Sequence, residues 1–124
     1  MRKKRISNDN LDKCLTSSIS QIREYFTNQR KTFNIKLEMP MPPFYGKVLK
    51  EVRNIPYGEV RSYKDIACKV GSPNAYRATA TANAKNMIPI IIPCHRVIGK
   101  NGDLGGYGGG LKIKKYLLKM EGVI

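Results

Sequence analysis

Residues 62–84 read SYKDIACKVGSPNAYRATATANA, and the punctuation of that stretch decides the fold. Ser62 is placed to N-cap a helix over Tyr63 to Val70, and Asp65, three residues on, adds an acidic group to its first turn. Gly71-Ser72-Pro73-Asn74 reads as a tight turn, and Asn74 is expected to cap a second helix from Ala75 to about Ala84. Two short helices joined by a turn containing glycine form the helix-turn-helix pattern. In the second of them Ala75, Ala78, Ala80, Ala82 and Ala84 are interleaved with Tyr76, Arg77, Thr79, Thr81 and Asn83. Small side chains let a helix approach another surface closely, and that surface is equally well a neighbouring helix or a nucleic acid. Arg77 suits the second reading better, because an unpaired arginine is rarely buried.

Working outward, Phe44, Val48, Leu49 and Val52 predict a helix that closes at the turn Ile55-Pro56-Tyr57-Gly58. Pro40, Pro42 and Pro43 break regular structure ahead of it and mark an internal boundary. Before the break, Leu11, Leu15, Ile19, Ile22 and Phe26 recur at helical spacing over residues 11–30, and Phe33, Ile35 and Leu37 alternate as in a short strand. Residues 1–10 read as a basic, disordered tail. Beyond the helix pair, Pro89 and Pro93 exclude helix and predict an extended, buried segment over Ile88–Ile92. Six glycines around Tyr107 predict a loop or hairpin, and Leu111, Tyr116, Leu117 and Leu118 a last helix ending at Glu121-Gly122. The expected organisation is a tail (1–10), a helix-strand segment (11–40) and a helix-turn-helix domain (41–124). Its class is mainly α with a small β element, winged-helix-like.

Charge narrows the partner. Lys and Arg number 23 against 9 Asp and Glu, a formal net charge of +14, which favours a polyanion through counterion release. No acidic residue falls between Ile66 and Gly102, whereas Lys69, Arg77, Lys85, Arg96 and Lys100 do, so a face built from this segment is purely cationic. Cys14, Cys68 and Cys94 are odd in number and have no repeated spacing, which suggests neither a disulfide framework nor a zinc site. A reducing cytoplasm is the natural setting. No run approaches the ~18 apolar residues of a membrane helix, and no membrane partner is expected.

The chemistry concentrates at Pro93-Cys94-His95-Arg96-Val97. A thiol is a useful nucleophile only as thiolate, and at an ordinary pKa of about 8.5 little of it is ionised at neutral pH. His95, the one histidine of the chain, stands beside Cys94. On an extended strand neighbours point to opposite faces, so a bridging water is the expected link, with a carboxylate orienting the imidazole. A cysteine in an apolar run also serves simply as a small core residue. Zinc ligation by adjacent residues lacks the usual spacing.

The order and spacing of these motifs resemble the O6-alkylguanine-DNA alkyltransferases. The likeness rests on Ile92-Pro93-Cys94-His95-Arg96-Val97, on Ile55-Pro56-Tyr57-Gly58-Glu59-Val60 with Ser62-Tyr63, and on the turn before Arg77. It continues through Asn86, eight residues ahead of the cysteine, Gly106-Tyr107 with Gly109-Gly110-Leu111, and Leu117-Leu118 with Glu121-Gly122. It covers Phe44 to Val123, more weakly back to Tyr25-Phe26 and Phe33. The resemblance implies suicide transfer of an alkyl group from guanine O6 in double-stranded DNA to Cys94, without metal or organic cofactor, by a monomer. His95 would act through water, Glu121 would orient it, and Asn86 would brace the turn joining the second helix to the active-site segment. Tyr107, Tyr63 and Pro89 would line the guanine pocket. The target base must leave the stack. Arg77 would fill the gap, Tyr63 would rotate the 3′ phosphate, and Ala78 and Thr81 would face the minor groove, which is only ~6 Å wide. Lys64, Ser72 and Lys100 would touch the DNA backbone.

Departures from the family pattern are local. Ala84, Lys85 and Met87 stand where Gly, Arg and Pro are usual around Asn86, and Ala80 stands where glycine is common. Relative to the family, the segment before the proline break is expected to be a truncated first domain. Two rival functions share the helix-turn-helix: a sensor that binds alkylated DNA without reacting, and a regulator whose promoter binding responds to methylation of Cys94.

Overall fold

A computed structural model describes residues 8–37, 41–99, 102–104 and 110–124, and within the first helix the side chains of residues 8–12 and 14 lie outside the description. The expectations placed on the first seven residues, on Pro40, on the side chains of Leu11 and Cys14, and on Lys100 and Tyr107 therefore fall outside the described residues. The chain divides into two units, Met1–Lys36 and Leu37–Ile124.

In the first unit, helix α1 spans Asn8–Phe26, starting and stopping earlier than its apolar spacing predicts. The stop is a backbone event. Asn28 takes a left-handed φ of 61°, and the amide of Gln29 donates to the carbonyl of Glu24 at 2.8 Å, a C-terminal cap for which asparagine is the usual substitute for glycine. The apolar stripe of α1 does not face a core throughout, since Leu15, Ile19 and Phe26 are exposed. The strand expected over residues 33–37 is absent, and the region is irregular. The buried Gln21 side chain occupies the place of a neighbouring strand: its Oε1 accepts from the Asn34 amide at 2.8 Å and its Nε2 donates to the Asn34 carbonyl at 3.2 Å.

The second unit is built around helix α2, Pro43–Arg53, which starts with proline in its first turn, where a missing N–H is harmless. Its buried residues Val48, Leu49 and Val52 join Ile55, Ile66, Ala82, Ile92, Cys94 and Val97 in one apolar core. Strand β1, Arg61–Ser62, leads directly into α3, Tyr63–Lys69. Ser62 caps α3 as expected, and reciprocally: its side chain accepts from the Asp65 amide at 3.0 Å while Asp65 accepts from the Ser62 amide at 3.1 Å. Gly71, at φ +81°, closes α3 by letting the Ser72 amide reach back to the Ala67 carbonyl at 2.9 Å.

Helix α4 spans Tyr76–Ala84. Its N-cap residue is Ala75, without a side-chain cap, so the expected capping by Asn74 does not occur. The Ala75 amide is drawn back to the Ser72 carbonyl at 2.9 Å, which starts the helix one residue too late for Asn74 to serve it. The segment expected to be extended and buried, Ile88–Ile92, is instead a tight turn closed by the Ile92 amide on the Ile88 carbonyl at 3.0 Å, with Ile90 at φ 75°. Left-handed backbone at a β-branched residue costs about 1–2 kcal/mol, so neighbouring contacts must hold it. Asn86 provides two, accepting from the Ile88 amide at 3.0 Å and donating to the Ile92 carbonyl at 2.8 Å. A 3-10 turn, Cys94–Arg96, then runs into β2, Val97–Ile98, which pairs in parallel with β1 in the register Arg61 with Val97 and Ser62 with Ile98. Helix α5, Leu111–Met120, buries Lys114, Leu117 and Leu118. The mainly helical class with a small β element, read from the sequence, is the architecture observed.

The reciprocal cap at Ser62 anchors the helix that follows β1. Ser62→Ala is expected to lower stability by about 1 kcal/mol, read as a lower urea midpoint at unchanged slope; an unaltered midpoint would mean that packing alone sets the start of α3.

Candidate functional site

Cys94 lies in the core cluster with 7% of its surface exposed. Its amide donates to the Ile92 carbonyl at 2.8 Å across a γ-turn at Pro93, and the Arg96 amide to the Pro93 carbonyl at 2.9 Å, which makes Cys94–Arg96 a 3-10 turn and not the extended segment expected from its two prolines. Successive side chains in such a turn rotate by about a third of a circle. Cys94 and His95 therefore still diverge, for a different geometric reason. Two asparagines at the end of α4 hold the turn's main chain. Asn83 Nδ2 donates to the Cys94 carbonyl at 3.1 Å, and Asn86 Nδ2 to the Ile92 carbonyl at 2.8 Å. Asn86 was expected here; Asn83, buried beneath the alanine-rich face, was not.

His95 is fully buried, and its Nε2 lies 2.7 Å from Glu121 Oε2. A carboxylate only accepts, so Nε2 carries the proton and Nδ1 presents a lone pair. That Nδ1 is buried and has no protein partner. Burial holds the imidazole below the ordinary histidine range, outweighing the opposite pull of Glu121 and assisted by the positive charges of Arg96 and Lys114. At neutral pH the ring is therefore an uncharged base.

Glu121 is itself clamped. Arg96 Nε donates to Oε1 at 2.8 Å and Nη2 to Oε2 at 3.0 Å, while Nη1 donates to the Ile55 carbonyl at 2.7 Å. This two-pronged contact fixes the carboxylate plane as well as its charge. The Arg96 guanidinium also lies 5.6 Å from the centre of the Tyr57 ring. Arg96 was not singled out in the sequence, where it reads as one more basic residue in a cationic segment.

Lys114 is a second omission. It is 0% exposed, and its Nζ donates to the Val97 carbonyl at 2.7 Å and to the Leu104 carbonyl. Burial pulls its pKa down to about 8 against the opposing influence of Cys94 and Asp103. In the sequence it is hidden among four lysines of α5. A sharper reading of spacing would have found it, since Lys114, Leu117, Leu118 and Glu121 share one helical face. Tyr63, at the start of α3, is half-buried and raised above the ordinary tyrosine range, first by burial and then by Cys94 and Asp103. Tyr63, Cys94, Lys114 and Asp103 thus share one electrostatic neighbourhood.

Outside this neighbourhood, Arg77, Ala78 and Thr81 lie exposed on one face of α4, while Thr79, Ala82 and Asn83 are buried on the other. Lys64 is exposed and Ser72 half-buried. An open cleft of about 500 Å³ is lined by Tyr63, Lys64, Pro73, Asn74, Tyr76 and Gly99. Cys94 is not among its walls, and Pro89 is exposed elsewhere on the turn after Asn86. The structure brings Cys94, His95, Glu121 and Asn86 together, sets Tyr63 beside them, and places Arg77, Ala78, Thr81 and Lys64 on the surface. No cluster of three or more His, Cys, Asp or Glu side chains suited to a metal ion occurs among the described residues.

Residues 43–123 match the family model described as 6-O-methylguanine DNA methyltransferase, DNA binding domain. The constitutive methylated-DNA–protein-cysteine methyltransferase of Bacillus subtilis is 51% identical over 108 residues, covering 86% of this chain and 66% of that protein. The crystal structure of Mycobacterium tuberculosis OGT in complex with DNA superposes with a TM-score of 0.84 at 44% identity, over 86% of this chain and 65% of that one. The chain thus spans just under two thirds of either relative. The crystal structure of S. pombe Atl1 in complex with damaged DNA containing O6-carboxymethylguanine matches with a TM-score of 0.60 at 36% identity, over 68% of this chain and 80% of that one.

Because His95 is held neutral in the folded state, an unfolded chain takes up a proton near pH 6.5 that the folded chain refuses. Stability is therefore lost as pH falls through that value toward the lower, folded-state one. The stability gap between the natural chain and His95→Gln should accordingly shrink between pH 7 and pH 5, as measured by urea unfolding; a gap that stays constant or widens would show that His95 is not held neutral.

Proposed function

This chain belongs to the 6-O-methylguanine DNA methyltransferase family, and from that premise we propose that it repairs DNA by taking the alkyl group of O6-alkylguanine onto the sulfur of its own Cys94. The observation that carries this reading is the unpartnered, buried Nδ1 of His95, on a ring locked by Glu121 next to Cys94 in sequence.

The chemistry follows from that atom. One water between Nδ1 and the thiol relays the Cys94 proton to the imidazole, and Glu121, held by Arg96, stabilises the imidazolium that forms. The thiolate attacks the alkyl carbon in line with the carbon–oxygen bond. A sulfur–carbon bond forms, the carbon–oxygen bond breaks with its electron pair going to O6, and the proton taken from the thiol returns to the departing guanine. The product is a thioether with no ready leaving path, so each chain reacts once.

Delivery of the base is the second part of the proposal. The exposed face of α4 enters the minor groove, where Ala78 and Thr81 allow close approach. Arg77 fills the place of the flipped nucleotide, and Tyr63 turns the 3′ phosphate. Lys64, Ser72 and Lys100 contact the backbone, and Tyr107, Tyr63 and Pro89 border the guanine. The net charge of +14 supports association with a polyanion. All the groups invoked come from one chain, so a monomer suffices, and a thiol nucleophile suits a reducing cytoplasm. No helix among the described residues is long and apolar enough to cross a membrane. The Atl1 likeness keeps a binding-only sensor as the alternative, and Cys94 favours transfer over it.

Incubation with duplex DNA carrying a labelled methyl group on guanine O6 should add one CH₂ to the Cys94 peptide, at most once per chain, by peptide mass spectrometry. Tight binding with Cys94 unmodified would establish the sensor instead. Base extrusion is worth a few kcal/mol, so Arg77→Ala should slow repair of duplex by about ten- to a hundredfold while leaving reaction with free alkylguanine nearly unchanged. Equal losses on both substrates would remove Arg77 from the flipping step.

A further inference from the structure

The open cleft between the starts of α3 and α4 plays no part in the relay from Cys94 through His95 to Glu121, and Cys94 is not among its walls. Its volume of about 500 Å³ is that of a ligand-sized site. Among the described walls, Tyr63 and Tyr76 contribute aromatic rings and Lys64 a cation, with Pro73, Asn74 and Gly99 completing the lining and no carboxylate present. We infer that this cleft is a stacking site for an unpaired nucleotide, with the Tyr76 ring as platform and Lys64 as partner of the phosphate, so that the protein grips single-stranded DNA as well as duplex. The inference goes beyond the repair reading and makes no use of Cys94.

The lining selects the occupant. Grooves that hold single strands pair aromatic faces, which take a base of any sequence, with cations that follow the backbone. The cleft supplies both within one opening, and the net charge of +14 draws a polyanion towards it. An apolar ligand would leave the Lys64 ammonium unused, and a cationic one would meet it as a like charge. Bases inside a duplex are stacked on one another and offer no free face, whereas those of a single strand do.

Tyr76 is presented for this contact. It is the first residue of α4 and 51% exposed. Helical side chains lean towards the N-terminus, here the side of Pro73 and Asn74, and Ala80, the neighbour one turn on, is too small to cover the ring. A lone exposed aromatic is ordinary on a protein surface, but Tyr76 shares its opening with a second ring, that of half-buried Tyr63. The Arg77 guanidinium is raised above its ordinary range, first through a hydrogen bond with Tyr76. The phenol is thus tethered at its oxygen while half the residue stays open to solvent, and a tethered side chain has less rotamer freedom to lose when a base stacks on it.

Fluorescence anisotropy of a short, lesion-free oligothymidylate tests the platform in the full chain. Tyr76→Ala should bind it about five- to a hundredfold more weakly, Tyr76→Phe should keep the affinity because the ring remains, and binding of either variant to lesion-free duplex should be nearly unchanged. Lys64→Gln should lower the log–log salt slope on the single strand by about 0.7. A single strand carrying 2-aminopurine should be quenched by the unaltered chain and by Tyr76→Phe, and not by Tyr76→Ala. Failure of the unaltered chain to bind the single strand would overturn the inference, as would undiminished affinity and quenching in Tyr76→Ala, or equal losses on single strand and duplex, which would make Tyr76 a general groove contact. No lesion and no alkyl transfer enter these measurements. A negative result here therefore leaves the repair reading standing, and a Cys94 that stays unmethylated leaves single-strand binding open to measurement.

Discussion

The second unit depends on one buried carboxylate that has two jobs. Glu121, just past the end of α5, accepts from His95 and twice from Arg96, and Arg96 carries the connection on to the carbonyl of Ile55 at the end of α2. The last helix, the Cys94–Arg96 turn and the first core helix are thereby joined through a single charged cluster. Such a cluster is strongly conditional, because removing one partner strands a buried charge at a cost of about 3–5 kcal/mol. The same geometry that ties the elements together also dictates which imidazole nitrogen carries a proton. Structural integrity and the tautomer of His95 are consequently set by the same atoms.

Helix α4 carries the corresponding double duty for the other side of the site. Its buried face places Asn83 against the Cys94 carbonyl, and Asn86 beyond its end fastens the turn that returns the chain to Cys94. Its outer face is free to present Arg77, Ala78 and Thr81. The exposed face with Arg77, Ala78 and Thr81 and the buried face that holds the Cys94 carbonyl are thus two sides of nine residues, Tyr76–Ala84. Any tilt of that helix is felt directly at the cysteine backbone.

Helices α2, α3, α4 and α5 were legible because their signals are local: apolar spacing, a serine cap with an aspartate in the first turn, glycine at a left-handed position. Cys94 with His95 was legible because reactive types stand side by side, and the place of Glu121 came from a family resemblance. Other features resisted. Alternation at residues 33–37 suggested a strand, but Gln21 took the partner's role; Pro89 and Pro93 suggested extension, but Asn86 folded the segment into a turn. Asn74 was a sound capping residue one position from where the helix began. Arg96 and Lys114 were invisible as site residues because 23 basic side chains look alike until burial separates two of them from the rest.

What the amino-acid sequence determined by itself is the set of elements whose causes lie within a few residues, the cationic balance and the adjacency of a thiol and an imidazole along the chain. Short-range causes leave short-range marks. Only the tertiary structure decided which nitrogen of His95 is free, which carboxylate fixes it, and which arginine and lysine enter the interior. Those outcomes join Ile55, Arg96, His95 and Glu121, and Val97 with Lys114, across long stretches of chain. Their energetics turn on desolvation and on charges brought together by folding, and neither quantity exists in the chain until the core has closed around them.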